Sequence, residues 1–223
     1  LGQVSKSFTF DEAANFVTQH LSTVSPSMGE FVADAFKKRW VEAENRGNKR
    51  AGAFCTSLQY SKETRVFMTF MGTADNVSTL AHELGHAFHQ HVMTDLPVLA
   101  QNYAMNVAET ASTFNELVVA DAALAKAASK EERIALLAAK VDNSVSFFMN
   151  IHARFIFETN FYAERRRGPI SAARLNELML EAQKQAFCNA LDVWHPHFWC
   201  SKLHFYITGV PFYNFPYTFG YLF

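Results

Sequence analysis

Cysteine is scarce in this chain and poorly arranged for structural work. Cys55, Cys188 and Cys200 are an odd number in 223 residues, with no CxxC pair and no dense framework of the kind that staples small secreted domains. They read as reduced thiols of a cytoplasmic protein. An excess of charge of one sign is also missing. With 20 basic and 21 acidic side chains the formal net charge is -1, so no overall field draws the chain to nucleic acid or an anionic membrane, and neither is expected as a partner. No apolar run reaches the roughly 18 residues that span a bilayer, and the first 20 residues are too polar for a signal peptide. No internal repeat, low-complexity tract or linker divides the chain.

What is present suits a globular protein. Hydrophobic residues make up 49% and charged ones 18%, enough to bury a real core, read as one domain over residues 1–223. The chain opens at Leu1 and stops at Phe223 inside the aromatic run PFYNFPYTFGYLF, where a natural terminus is usually polar. It reads as a fragment of a longer chain, truncated at both ends.

Local patterns give a mainly α fold with a small β-hairpin. Thr9 and Glu12 fit a capping box, and Ser25-Pro26 starts a second helix expected to run through EFVADAFKKRWVEAE to Gly47. AGAFCTSLQY and TRVFMTF, separated by SKE, predict the hairpin. Helical periodicity then returns over about 76–92, 103–128, 130–165 and 171–190, and HFYITGVP reads as a short strand or turn before a last helix. Arg165, Arg166 and Arg167 suit a helix C-terminus.

The chemistry concentrates in TLAHELGHAFHQH, Thr79 to His91. His82, Glu83 and His86 form HExxH; on a helix, positions four apart share a face, so both imidazoles can reach one cation, with Glu83 addressing its water. A third protein ligand is then required. A metzincin pattern fails, because position 89 is His instead of Gly and position 92 is Val instead of His. His89 and His91 read as bystanders. Glu109, in NVAETAST on the following helix, is the favoured third ligand, flanked by Ala108, Ala111 and Ser112, small enough for a tight helix crossing. Glu116 is the competing carboxylate, better suited to supporting a ligand imidazole from behind. His195 and His197 around Pro196 lack a nearby carboxylate or cysteine and read as structural. Cys55 reads as a small buried hydrophobe.

The residues HELGHAFH, the downstream ETAS, the closing pattern of His204-Phe205-Tyr206 and PFYNFPYT, and NKRAGAFCTS, with Asn48 departing from the commoner glycine, resemble the oligoendopeptidase F family, relatives of thimet oligopeptidase. The likeness runs from about Ser25 to Phe223. It implies a zincin-like, mainly helical metallopeptidase catalytic domain that binds one Zn2+ per chain and cleaves short peptides inside a deep channel, in proteins considerably longer than this chain. Carried over residue by residue, the zinc ligands fall on His82, His86 and Glu109 and the general base on Glu83. A histidine and tyrosines that bind the substrate carbonyl and its oxyanion fall on His204, Tyr213 and Tyr217. The alternative is a zinc-containing peptide-binding module with little turnover. Cleavage-site preference and oligomeric state are not legible.

Overall fold

The computed structural model describes residues 7–49 and 52–223. Arg50 and Ala51, inside NKRAGAFCTS and at the expected start of the hairpin, lie outside that set. The described chain falls into two compact units, one running to Ala138 and one from Ala139 to Leu222.

In the first unit, α1 (Phe10–Val24) begins with the expected capping box: Thr9 accepts from the Glu12 backbone, and the Glu12 carboxylate accepts the Thr9 N–H at 2.8 Å. Pro26 opens α2 (Pro26–Lys37) at a position where its missing N–H costs nothing. That helix stops about ten residues earlier than its pattern suggests. Arg39 takes a left-handed φ of 56°, Arg39 N–H bonds Phe36 O, and Trp40 N–H reaches back to Ala35 O. This is a Schellman stop with an arginine where glycine is usual. The freed chain forms a short strand, β1 (Val41–Glu42), which pairs in parallel with β3 (Glu63–Met68); β3 in turn pairs antiparallel with β2 (Ala53–Leu58), in register Cys55 to Val66. The order β1-β3-β2 leaves β2 at an edge.

Lys49 ties this sheet together. Its ammonium donates to the carbonyls of Glu44 and Met68, both at 2.6 Å, pairs with Glu42 at 2.7 Å in a position where the lysine side chain is 1% exposed, and stands over the Phe67 ring. The sheet and α1 and α2 pack on α3 (Ala74–Val92) around Val17, Leu21, Val32, Met68, Leu80 and Leu84. Two 3-10 turns, at Val98–Gln101 and Met105–Val107, lead into α4 (Thr110–Ala125), which therefore begins later than the sequence periodicity indicates.

The expected helix over about 130–165 is continuous but not uniform: α5 (Lys130–Val145) passes through a π-helical turn at Ser146–Asn150 into α6 (Ile151–Arg165). By length and composition alone this stretch, Lys130–Arg165, could cross a membrane. That qualifies the reading that no segment is apolar enough to do so, which counted only uninterrupted apolar runs.

In the second unit, α7 (Ala172–Ala186) packs on α6 through Phe157, Leu178, Met179 and Ala182. Gln183 brackets the WHPH turn, donating to His195 O and accepting His195 N–H, which gives that segment a structural anchor. After a one-turn helix, α8 (Phe198–Ser201), a 3-10 turn at Leu203–Tyr206 leads into further turns, so HFYITGVP takes the turn rather than the strand of its two readings, and α9 (Phe215–Tyr221) closes the unit.

The burial of Lys49 leads to a stability prediction. Replacing Lys49 with Met removes a donor from two carbonyls and leaves Glu42 with Arg46 as its remaining partner. Because Glu42 is half-exposed, the expected loss is about 2 kcal/mol, measured as a shift in the chemical denaturation midpoint; an unchanged midpoint would discount Lys49 as a structural tie.

Candidate metal centre

The phase of α3 is set at its first turn. Thr73 and Asn76 form a capping box, and Asn76 Oδ1 also accepts the Met71 N–H at 2.6 Å. From that fixed start Leu80, Ala81, Leu84 and Ala87 point into the core, which leaves His82 and His86 side by side on the flank of the helix, ring centroids 4.8 Å apart.

The third member arrives from α4. Glu109 stands at the N-cap of that helix instead of inside it, with φ -102° and ψ 4°, and is 1% exposed. Its carbonyl accepts from Thr113 N–H and from the Ser112 and Thr113 hydroxyls. Ser112 Oγ also donates to Glu109 Oε2 at 2.8 Å, so the serine and threonine of ETAST lock both the backbone and the carboxylate. A carboxylate at a helix N-terminus is further favoured by the helix dipole.

His82 Nε2 lies 3.3 Å from Glu109 Oε2, His86 Nε2 lies 3.1 Å from the same oxygen, and the two Nε2 atoms are 3.2 Å apart. A tetrahedral ion with bonds of about 2.0–2.1 Å spaces its ligands about 3.3 Å apart. Two nitrogens and one oxygen with these separations therefore suit a small divalent cation, and among the described residues this is the group able to hold one. Behind it, Glu116 Oε1 bonds His82 Nδ1 and so fixes which ring nitrogen faces the centre; Ser78 donates to the other Glu116 oxygen at 3.5 Å. Asn115, fully buried, donates to Ala81 O across the two helices.

The electrostatics match. Burial works against a charge on His82, but hydrogen bonds to Glu109 and Glu116 outweigh it and hold the imidazole up at about 10. Burial also opposes ionisation of Glu109, yet the two imidazoles keep its carboxyl well below the usual carboxylate range. The pocket thus favours positive charge between these side chains. Burial pushes Glu83 above its ordinary value, and its Oε2 is buried with no hydrogen-bond partner.

Of the neighbouring histidines, His89 packs at a tilt against Tyr103 at 4.5 Å and His91 stacks on Phe31 at 4.6 Å. Cys55, on β2, is partly buried where the sequence suggested full burial, and desolvation pushes its thiol up to about 12, with the Glu83 charge adding to the effect. In the second unit, His204, Tyr213 and Tyr217 gather into one aromatic trio: His204 stacks on Tyr213 at 5.7 Å, and Tyr217 meets each of them edge-on at 6.2 Å. The sequence pattern did not disclose Ser112 as the side chain that orients Glu109, although a hydroxyl three residues after a helix-starting carboxylate is the available signal.

An HExxH helix crossed by a second helix that starts on glutamate defines the metallopeptidase class. The chain belongs to peptidase family M3, whose sequence pattern matches residues 23–221. It is 27% identical to group B oligopeptidase PepB of Streptococcus agalactiae serotype III (strain NEM316), covering 99% of this chain and 37% of that protein. The chromosomal oligoendopeptidase F of Lactococcus lactis subsp. cremoris is also 27% identical, with the same two coverages. The solved structure of PZ peptidase A with inhibitor 2 shares the fold, with a TM-score of 0.79 at 19% identity over 96% of this chain and 38% of that one. A Chlamydophila abortus protein of known structure gives 0.72 at 27% identity, over 96% and 36%. The chain spans about 37% of the length of these curated relatives.

Gly85 makes the helix crossing possible. A Cβ there would stand 2.5 Å from Ala111 O and 2.7 Å from Ser112 Cα, both backbone atoms, so Gly85→Ala must push α4 away from α3. The expected result is a folded chain destabilised by about 1–3 kcal/mol whose metal affinity, read by chelator competition, drops sharply. Parental affinity in Gly85→Ala would show that Glu109 does not need the close approach.

Proposed function

We propose that this chain is the zinc-binding portion of an endopeptidase that hydrolyses short oligopeptides. The observation that carries the reading is the triangle of His82, His86 and Glu109 with 3.1–3.3 Å edges and the unpartnered, buried Glu83 oxygen beside it. Membership of family M3 and the names of its relatives support the same reading. Zinc held by those three side chains would polarise the scissile carbonyl and acidify water.

The chain's own residues supply the rest. Glu83, its pKa raised by burial, is suited to take a proton from the attacking water near neutral pH and return it to the leaving amine. Glu116 and Ser112 hold the His82 and Glu109 side chains in register. The β2 edge offers backbone hydrogen bonds to an extended peptide with little regard for its side chains. His204, Tyr213 and Tyr217 are assigned the substrate carbonyl and its oxyanion by family resemblance. A cytoplasmic location belongs to the same proposal, resting on three unpaired thiols.

The direct test measures zinc by mass spectrometry together with cleavage of a quenched fluorescent peptide. One zinc per chain is expected in the parent and in Glu83→Gln, with cleavage abolished in Glu83→Gln; Glu109→Ala is expected to lose the zinc. Zinc without cleavage in the parent would leave the peptide-binding module as the better reading. For the oxyanion role, Tyr217→Phe is expected to lower kcat about 100-fold, the scale of one lost donor, with zinc content unchanged. A kcat within a factor of two would remove Tyr217 from the site.

A further inference from the structure

The second unit buries a carboxylate that the proposed chemistry does not use. Glu158, on α6, is 4% exposed. Its Oε1 accepts the backbone N–H of Phe212 at 2.7 Å, its Oε2 makes no hydrogen bond of ordinary geometry, and burial raises its pKa above the ordinary glutamate value against the opposing influence of the Phe212 N–H and the nearby Asn214 side chain. A half-satisfied carboxyl inside a helical unit is costly to keep, so what it holds matters.

It holds a strained residue. Phe212 has a φ of 63°, in the left-handed region that bulky side chains rarely adopt. One face of α6 grips this residue twice. The Phe212 ring packs against Phe155 at 5.7 Å and Tyr162 at 5.3 Å, and Glu158, between them at the i, i+3, i+7 spacing of a helical face, takes its N–H. The next residues carry the consequence. Asn214 N–H bonds back to Phe212 O at 2.7 Å, which places Tyr213 at the apex of a three-residue turn. Asn214 Oδ1 accepts from Arg154, one helical turn before Glu158. Tyr217 N–H then bonds Asn214 O, and Thr218 Oγ1 donates to Phe147 O at 2.6 Å, in the π turn. The tyrosine segment is thus held at Phe212 and at Thr218, with both phenol-bearing residues between.

We propose that Glu158 is a positioning residue: by holding the Phe212 N–H it maintains the left-handed turn that aims Tyr213 and Tyr217. Its consequence for catalysis rests on the oxyanion reading of those tyrosines; the positioning itself does not.

The experiment follows both in the full chain. 3-Fluorotyrosine is incorporated and the fluorine resonances are assigned by single Tyr→Phe changes. Glu158→Gln keeps an acceptor oxygen and is expected to leave the Tyr213 and Tyr217 resonances in place. Glu158→Leu removes the acceptor and is expected to shift or broaden both, with Tyr60 and Tyr103 unmoved. In peptide cleavage, Glu158→Leu should lower kcat at least about tenfold with KM and bound zinc near parental values, Glu158→Gln should recover most of that loss, and Tyr217→Phe should cost far less in the Glu158→Leu background than alone. Unmoved Tyr213 and Tyr217 resonances in Glu158→Leu overturn the proposal. Moved resonances with cleavage insensitive to Tyr213→Phe and Tyr217→Phe uphold the positioning and refute the oxyanion reading instead. If Glu158→Leu does not fold, Glu158→Asp decides: its shortened side chain cannot reach the Phe212 N–H, so it must displace the same two resonances or the proposal is wrong.

Discussion

The candidate site depends on how closely α3 and α4 approach at Gly85. A helix pair at ordinary separation, with side chains interleaved between them, would leave a glutamate on one helix well short of two histidines on the other. Here the backbone of Ala111 and Ser112 lies where the Gly85 Cβ would be. That contact lets a short, fully buried carboxylate touch both imidazoles. The residues lining the crossing are correspondingly small or polar: Ser112, Thr113 and Asn115 are buried on α4, and the Asn115 bond to Ala81 O supplies direction that an apolar interface would lack. The helices therefore pay for closeness with polar burial, which Ser112 and Thr113 satisfy within α4 at Glu109 and Asn115 satisfies in part across to α3.

The same closeness explains the electrostatics. Two imidazoles and a carboxylate within 3.1–3.3 Å form a good set only when positive charge sits among them, supplied by protons or by a cation. Despite burial, the Glu109 and Glu116 carboxylates, accepting hydrogen bonds from His82, raise its proton affinity, and the two histidines depress that of Glu109. A divalent ion can take over that role with more charge on one centre, which is why ligand sets so often bear a carboxylate behind a histidine. Glu83 differs from its neighbours in having no such partner at one oxygen. Burial without pairing raises a carboxyl's pKa, and that combination distinguishes Glu83 from the paired Glu109 at the start of α4.

Much of this site was legible in the sequence because it is local. HExxH is a statement about one helix, and the capping signal at Thr9, the proline at the start of α2 and the hairpin pattern are all readable within a few residues. Glu109 could be chosen from spacing and small neighbours, but its place at the N-cap could not: helical periodicity from Ala108 onward looks unbroken, while the hydroxyls of Ser112 and Thr113 draw the Glu109 carbonyl into the first turn. The early end of α2 was hidden for a similar reason. Arg39 adopts the left-handed stop that glycine would have announced, and β1, only two residues long, is defined by a partner about 25 positions away.

The second unit shows the limit of local reading most plainly. Asn150, at the end of the π turn, and Arg154 and Glu158, on α6, fall four apart, and in sequence they pass for the polar face of an amphipathic helix. In the structure Arg154 bonds both Asn150 and Asn214, Glu158 is buried, and its bond spans 54 residues to Phe212. A polar stripe that looks solvated is instead the socket for a distant loop. The physical sign is the pairing of two local costs, a left-handed phenylalanine and a half-satisfied buried carboxyl, that meet at one hydrogen bond. Either cost alone would be an unfavourable accident of packing. Together, each removes part of the other's penalty, and the residues they fix are those that follow immediately in the chain, Tyr213 and Tyr217. Strain placed this way is stable only if the surrounding contacts over-determine it, and the clasp of Phe155, Glu158 and Tyr162 on one residue meets that condition.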